Sequence, residues 1–239
     1  MFIKFSLTII SLFATTILWA GSDWDYQNPK DWASANQKFQ SCAGVNQSPI
    51  DIRDTVTANL PPLEFNYHTT AKSVQNIGHT MQIEFNQGAS LVLDGQTFLL
   101  EQFHVHSPSE NNINGQSYPM ELHLVHASDK GELAVVALMF QYGLENEKLK
   151  HIWNSLPKNV GESNQLYSKN KADSYLPNNL EYYRFNGSLT TPPCSEGVRW
   201  VVFKEIQQAS NEQIESFMEL MGHPNNRPIQ PIGARLILE

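Results

Sequence analysis

With two cysteines in 239 residues, Cys42 and Cys194, the chain has room for at most one internal disulfide. Positive charge is scarce as well. Sixteen lysines and arginines face 24 aspartates and glutamates, a formal net charge of −8. That balance argues against a protein built to grip nucleic acid or an anionic membrane surface. No apolar run long enough to span a bilayer occurs after residue 20. Internal repeats and low-complexity linkers are absent, and proline and glycine are scattered. Two catalytic signatures are missing too: the His-Glu-x-x-His helix of metalloproteases and the Gly-x-Ser-x-Gly nucleophile elbow.

The N-terminus is different. Residues 1–20, "MFIKFSLTIISLFATTILWA", carry one charge, Lys4, and end on the small Ala20. A polar segment, "GSDWDYQN", follows at once. This pattern reads as a secretory signal peptide rather than a retained membrane anchor. The mature chain would be residues 21–239, a length suited to one domain. In an exported protein Cys42 and Cys194 are expected to form a disulfide.

Alternation dominates the rest. "MQIEF" (81–85), "SLVLDG" (90–95), "FLLEQFHVH" (98–106) and "MELHLVHA" (120–127) read as half-buried strands, and "LAVVALMF" (133–140) as a strand buried on both faces. "GVRWVVFKEI" (197–206) is a further β-branched and aromatic run. Two helices are expected. Leu149, Ile152, Trp153 and Leu156 form a helical stripe in residues 146–157. In residues 210–222, Ser210 and Gln213 fit a capping box, Ile214, Phe217, Met218 and Met221 form the buried stripe, and Gly222 ends the helix. The fold class is mainly β (α+β), one domain with a large sheet and helices on its outside.

Residues two apart in a strand share a face, so His104 and His106 point the same way. In "ELHLVH", Glu121, His123 and Val125 share one face. If the two strands are neighbours, three imidazoles converge. Three neutral imidazoles suit Zn²⁺ and leave a fourth position for water, the pattern of a catalytic zinc. Gln102 and Glu121 stand where acceptors for the outer ring N–H groups would be needed.

Taken together, "QFHVHSPSE" (102–110), "YPMELHLVH" (118–126) and "NGSLTTPPCSEGVRW" (186–200) resemble the α-class carbonic anhydrases, the secreted bacterial members especially. "NQSPIDI" (46–52), "NIGHT" (76–80) and "NRPIQP" (226–231) extend the likeness over nearly the whole mature chain. The resemblance implies a twisted, mostly antiparallel central sheet and one zinc held by His104, His106 and His123. It implies reversible hydration of CO2 to bicarbonate, with weak esterase activity as a side reaction. Thr190 would orient zinc-bound hydroxide and pass its own proton to Glu110, and Thr190 and Thr191 would contact substrate. Val125, Val135, Leu189, Val198 and Trp200 would form the apolar CO2 wall. His79 would be an exposed proton shuttle titrating near 6.5, with Tyr26 and Asn76 holding ordered water. Cys42 and Cys194 match the disulfide of extracellular members, and Ser48-Pro49 and Pro192-Pro193 match sites of cis peptide bonds.

The resemblance further implies sulfonamide and anion inhibitors, no nucleic-acid partner, no membrane after signal removal, a bacterial periplasmic location and a homodimer as one assembly open to the chain. His68, His126, His151 and His223 are left as structural or surface residues. Three positions depart from the family pattern: Ser107-Pro108 after the second histidine, Ile77 before the glycine of "NIGHT", and Phe185 in place of a common tyrosine. A hydrolase using the same metal, or a binding protein that kept only the fold, are the competing readings. The second is opposed by the presence of all three histidines with Thr190 and Glu110.

Overall fold

The computed structural model describes residues 24–167 and 171–239. The expected signal segment, residues 1–20, lies outside the described residues. Thirteen strands are described among them: β1 (Asp51–Ile52), β2 (Glu64–Tyr67), β3 (Ala71–Asn76), β4 (Met81–Phe85), β5 (Ala89–Leu93), β6 (Gln96–His106), β7 (Asn112–Ile113), β8 (Met120–Ala127), β9 (Leu133–Tyr142), β10 (Ser163–Gln165), β11 (Tyr182–Ser188), β12 (Glu196–Phe203) and β13 (Gln207–Ala209). Eleven belong to one sheet, whose main path runs β10-β3-β4-β6-β8-β9-β12-β11. Its pairings are antiparallel except for β9 with β12 and with β13. The expected mostly antiparallel sheet is therefore present.

The alternation in β6 and β8 separates two environments. Phe103, Val105, Leu122 and Leu124 are fully buried in the larger core, which continues through Val136, Leu138 and Phe203. Beyond a short N-terminal helix α1 (Trp32–Ala35), the helices α2 (Glu147–Trp153) and α3 (Asn211–Met221) cover this side with Leu149, Ile152, Ile214 and Phe217. The opposite face carries the histidines and a second apolar cluster built on Val135, Ala137, Phe185, Val198 and Trp200. The pairing of β6 with β8 shifts between Leu100 and Gln102, a bulge at the exposed Glu101 that simple alternation over residues 98–106 does not foresee.

Both expected helices form, with shifts in detail. Asn146 caps α2, its side chain accepting from the backbone N–H groups of Lys148 and Leu149, and the helix stops at Trp153, short of Pro157. The capping box of Ser210 and Gln213 is closed at the start of α3, and Gly222 ends it at φ 71°. Met218 is 40% exposed rather than in the buried stripe. Gln213 is buried in this helix instead, because its carboxamide ties the two helices together. Oε1 accepts from Asn146 N at 2.8 Å and Nε2 donates to Asn146 O at 2.9 Å.

Candidate metal centre

Register brings the three histidines together. His104 pairs directly with His123 across β6 and β8, and His106 pairs with Glu121. One potential donor nitrogen from each of His104, His106 and His123 lies within 4.8 Å of the others. The other ring nitrogen of each lies close to an acceptor. His104 Nδ1 is 2.9 Å from Gln102 Oε1, His106 Nδ1 donates to the Asn225 carbonyl at 2.7 Å, and His123 Nε2 lies 2.8 Å from Glu121 Oε1. These contacts leave Nε2 of His104, Nε2 of His106 and Nδ1 of His123 to face one centre. His106 Nε2 is buried and has no hydrogen-bond partner.

Burial depresses the pKa of all three rings below the usual histidine value, most strongly for His104 and His123. They are neutral, as metal ligands must be. A buried, unpartnered imidazole nitrogen beside two more is costly by itself and suits a borderline dication with nitrogen donors. The residues present therefore fit zinc.

Glu121 is wholly buried, which raises its pKa, and hydrogen bonds counter the rise. Its Oε2 accepts from the backbone N–H groups of Glu110 at 2.7 Å and Asn111 at 2.8 Å, and Oε1 accepts from Asn111 Nδ2 at 2.8 Å. One carboxylate thus faces the His123 ring and holds the turn that carries Glu110.

Glu110 is also buried, and desolvation pushes its pKa up to about 8 against hydrogen bonds from the Arg227 backbone and the Thr190 hydroxyl. Glu110 Oε1 accepts from Arg227 N at 2.8 Å, while Oε2 lies 3.4 Å from His106 Nε2. The positive charge of a bound dication would draw this carboxyl toward ionisation.

The segment carrying Thr190 is held from the far end of the chain. Cys42 and Cys194 form the expected disulfide. Ser48 and Ser188 exchange reciprocal backbone-to-hydroxyl bonds at 2.9 and 3.1 Å. The Arg227 guanidinium donates to Gln47 Oε1, the Ser48 carbonyl and the Cys42 carbonyl at 2.8, 2.8 and 2.9 Å. Three X-Pro bonds are cis: Ser48-Pro49 and Pro192-Pro193, at the two places the resemblance pointed to, and Ser107-Pro108.

Cross-strand register also assembles the apolar wall. Val125 pairs with Val135, Val135 with Trp200, and Trp200 with Phe185. Val198 belongs to the same cluster, with Leu189 and Val125 packed against it, and the Trp200 ring lies 5.0 Å from that of His123.

A fold with this register and three-histidine cluster invites comparison with known proteins. Residues 27–239 match the family model described as eukaryotic-type carbonic anhydrase. The chain belongs to the α-carbonic anhydrase family. A carbonic anhydrase of Pectobacterium carotovorum is 43% identical over 219 residues, 90% of each chain. The α-carbonic anhydrase of Photobacterium profundum superposes with a TM-score of 0.86 at 48% identity, covering 91% of this chain and 99% of that one. The Thermovibrio ammonificans α-carbonic anhydrase, solved with the inhibitor sulfanilamide, gives 0.87 at 44% identity, covering 88% and 95%. The reaction of an α-carbonic anhydrase is the zinc-dependent, reversible hydration of CO2 to bicarbonate and a proton.

Within this carbonic anhydrase, a cavity of about 140 Å³ opens on the histidines, lined by Tyr26, Ile77, His79, Gln102, His104, His106 and Thr191 among others. His79 is not the exposed group expected of a shuttle. It is half-buried against Trp24, with ring centroids 4.6 Å apart, and its Nδ1 has no hydrogen-bond partner. Burial first, then His106 and His223, pull its pKa down to about 4. Asn76 is buried away from the cavity lining: its Oδ1 accepts from Gly78 N and its Nδ2 donates to the Pro157 carbonyl. Tyr26 does line the cavity, its hydroxyl buried without a hydrogen-bond partner among the described residues.

Sequence reasoning missed Trp24, Asn111, Asn225 and the anchoring role of Arg227. Polar residues in the run "HPNNRP" that turn out fully buried were the available signal, but polarity alone does not reveal burial.

Proposed function

We propose that this carbonic anhydrase works through one zinc bound by His104, His106 and His123, with Gln102, the Asn225 carbonyl and Glu121 fixing the three rings. Zinc, when bound, acidifies a coordinated water and so supplies the nucleophile that attacks CO2. Thr190 commits its single donor to Glu110, so its oxygen lone pairs are left to accept from the attacking group. Thr190 and Thr191 receive the product bicarbonate. Val125, Val135, Leu189, Val198 and Trp200 offer a weakly polar substrate a dry wall beside the metal.

Proton export runs past His79 and Tyr26. Burial lowers the pKa of His79, so the ring stands neutral and open to a proton, which soluble buffer then takes up. The packed position of Asn76 supports a structural role there. Sulfonamides and small anions would bind at the metal. The apolar sequence of residues 1–20, read as a cleaved leader, and the disulfide support export to a periplasm, where the mature domain would be residues 21–239, with a homodimer as one assembly open to it. Among the described residues no helix is long and apolar enough to cross a membrane.

The observation that carries this reading is the facing pair His104 and His123 in register, with His106 two residues on along the same face. The test is zinc content and CO2 hydration of the purified mature chain, with and without a sulfonamide, beside His104→Ala. Stoichiometric zinc and sulfonamide-sensitive hydration are expected, both lost in the variant. A variant retaining tight zinc and full hydration would refute the ligand set.

A further inference from the structure

Asn225 lies in the segment after α3 and is fully buried. Its backbone carbonyl holds ligand His106, but its side chain makes contacts of its own. Oδ1 accepts from Ser107 N at 2.8 Å. Nδ2 donates twice, to the Val105 carbonyl at 2.8 Å and to the His79 carbonyl at 3.0 Å. Val105 is the residue between the two ligands of β6, and His79 lies in the turn between β3 and β4. The neighbouring Thr80 grips the same residue: its Oγ1 donates to the Val105 carbonyl at 2.6 Å and accepts from Val105 N at 3.2 Å.

A carboxamide is suited to this place. One nitrogen carries two donors that can serve two carbonyls, while the oxygen accepts from a third group. A carboxylate of the same shape could not donate to either carbonyl. An apolar side chain would leave the Ser107 N–H and the His79 carbonyl short of this partner and the Val105 carbonyl with Thr80 alone.

We propose that the Asn225 carboxamide is a positioning residue that locks the ligand strand and the His79 turn into one block, so that metal retention and proton export both depend on it. The proton-export half rests on the role given to His79 above; the metal half does not. Export follows CO2 attack, so its loss lowers kcat at low buffer while leaving kcat/KM less affected.

The experiment compares the zinc-loaded mature protein with Asn225→Ala and Asn225→Asp, each also in a His79→Ala background. Zinc release to a chelator should be about ten-fold faster in Asn225→Ala. In both variants kcat at low buffer should fall roughly five-fold more than kcat/KM, because the donor bonds to His79 and Val105 are gone. Asn225→Asp keeps the acceptor for Ser107 and serves if the alanine variant fails to fold. In the His79→Ala background the Asn225 changes should cost no further kcat at low buffer. Wild-type zinc release with no selective loss of kcat would overturn the proposal, as would equal losses with and without His79. If His79→Ala alone leaves buffer dependence unchanged, the shuttle reading fails, and zinc release still decides the role of Asn225.

Discussion

Replacing His126 by glutamine should make the protein markedly less sensitive to acid. His126 lies three residues beyond His123 but on the other face of β8, fully buried in the larger core. Its Nε2 meets the Tyr67 hydroxyl and its Nδ1 faces the Ala134 carbonyl at 3.3 Å. A neutral ring satisfies both by accepting from one and donating to the other. Burial is the main cause that pulls its pKa to about 4, against backbone hydrogen bonds to Ala134 and Leu124 that favour the charged form. In the unfolded chain a histidine titrates near 6.5. Between those two values the unfolded state binds more protons, so stability is intact above about pH 6.5 and is lost as pH falls toward 4. By about pH 4.5 this single group should have cost about 2.5 kcal/mol.

The assay is urea unfolding of zinc-free wild type and His126→Gln at about pH 7.5 and about pH 4.5. Protonation of the ligand histidines is common to both proteins and cancels in the difference. At the higher pH the variant should be about 1–3 kcal/mol less stable, through a weakened buried pair with Tyr67. At the lower pH that gap should shrink by about 2.5 kcal/mol and can reverse. A gap independent of pH would show that His126 is not a buried neutral group.

Two further outcomes follow from the site. Thr190→Val should keep stoichiometric zinc while kcat/KM for CO2 hydration drops roughly 100-fold, since the oriented acceptor beside Glu110 is lost; wild-type kinetics would refute the orienting role. Reduction of the disulfide, whose cysteines are 152 residues apart, should cost up to about 5 kcal/mol and loosen the Thr190 segment; an unchanged melting temperature and activity under reductant would refute it.

The three-histidine cluster was legible because period-two alternation is a local property. His104, His106 and His123 needed only two strands to be neighbours, and one pairing settled that. Thr190 and Glu110 carry no such period; a family likeness pointed to them, and long-range packing brings them together. His79 shows the limit most clearly. Its motif suggested an exposed ring, but Trp24, 55 positions earlier in the chain, covers it. The same holds for Asn225, whose contacts at His79, Val105 and Ser107 exist only after the sheet is built. Met218 was misplaced for a different reason: a helical stripe has edges, and Gln213 took the interior place by bridging to Asn146.

The anchoring of the Thr190 segment separates two events in the history of each molecule. The three clustered histidines come from adjacent strands and need few long loops to close, so they can assemble early. The acceptor beside them is held through Ser48, Cys42, Gln47 and Arg227, at separations of well over one hundred residues. The three histidines can therefore gather before the two ends of the chain close onto Arg227 and Ser188, and that later closing is what sets Thr190 beside them.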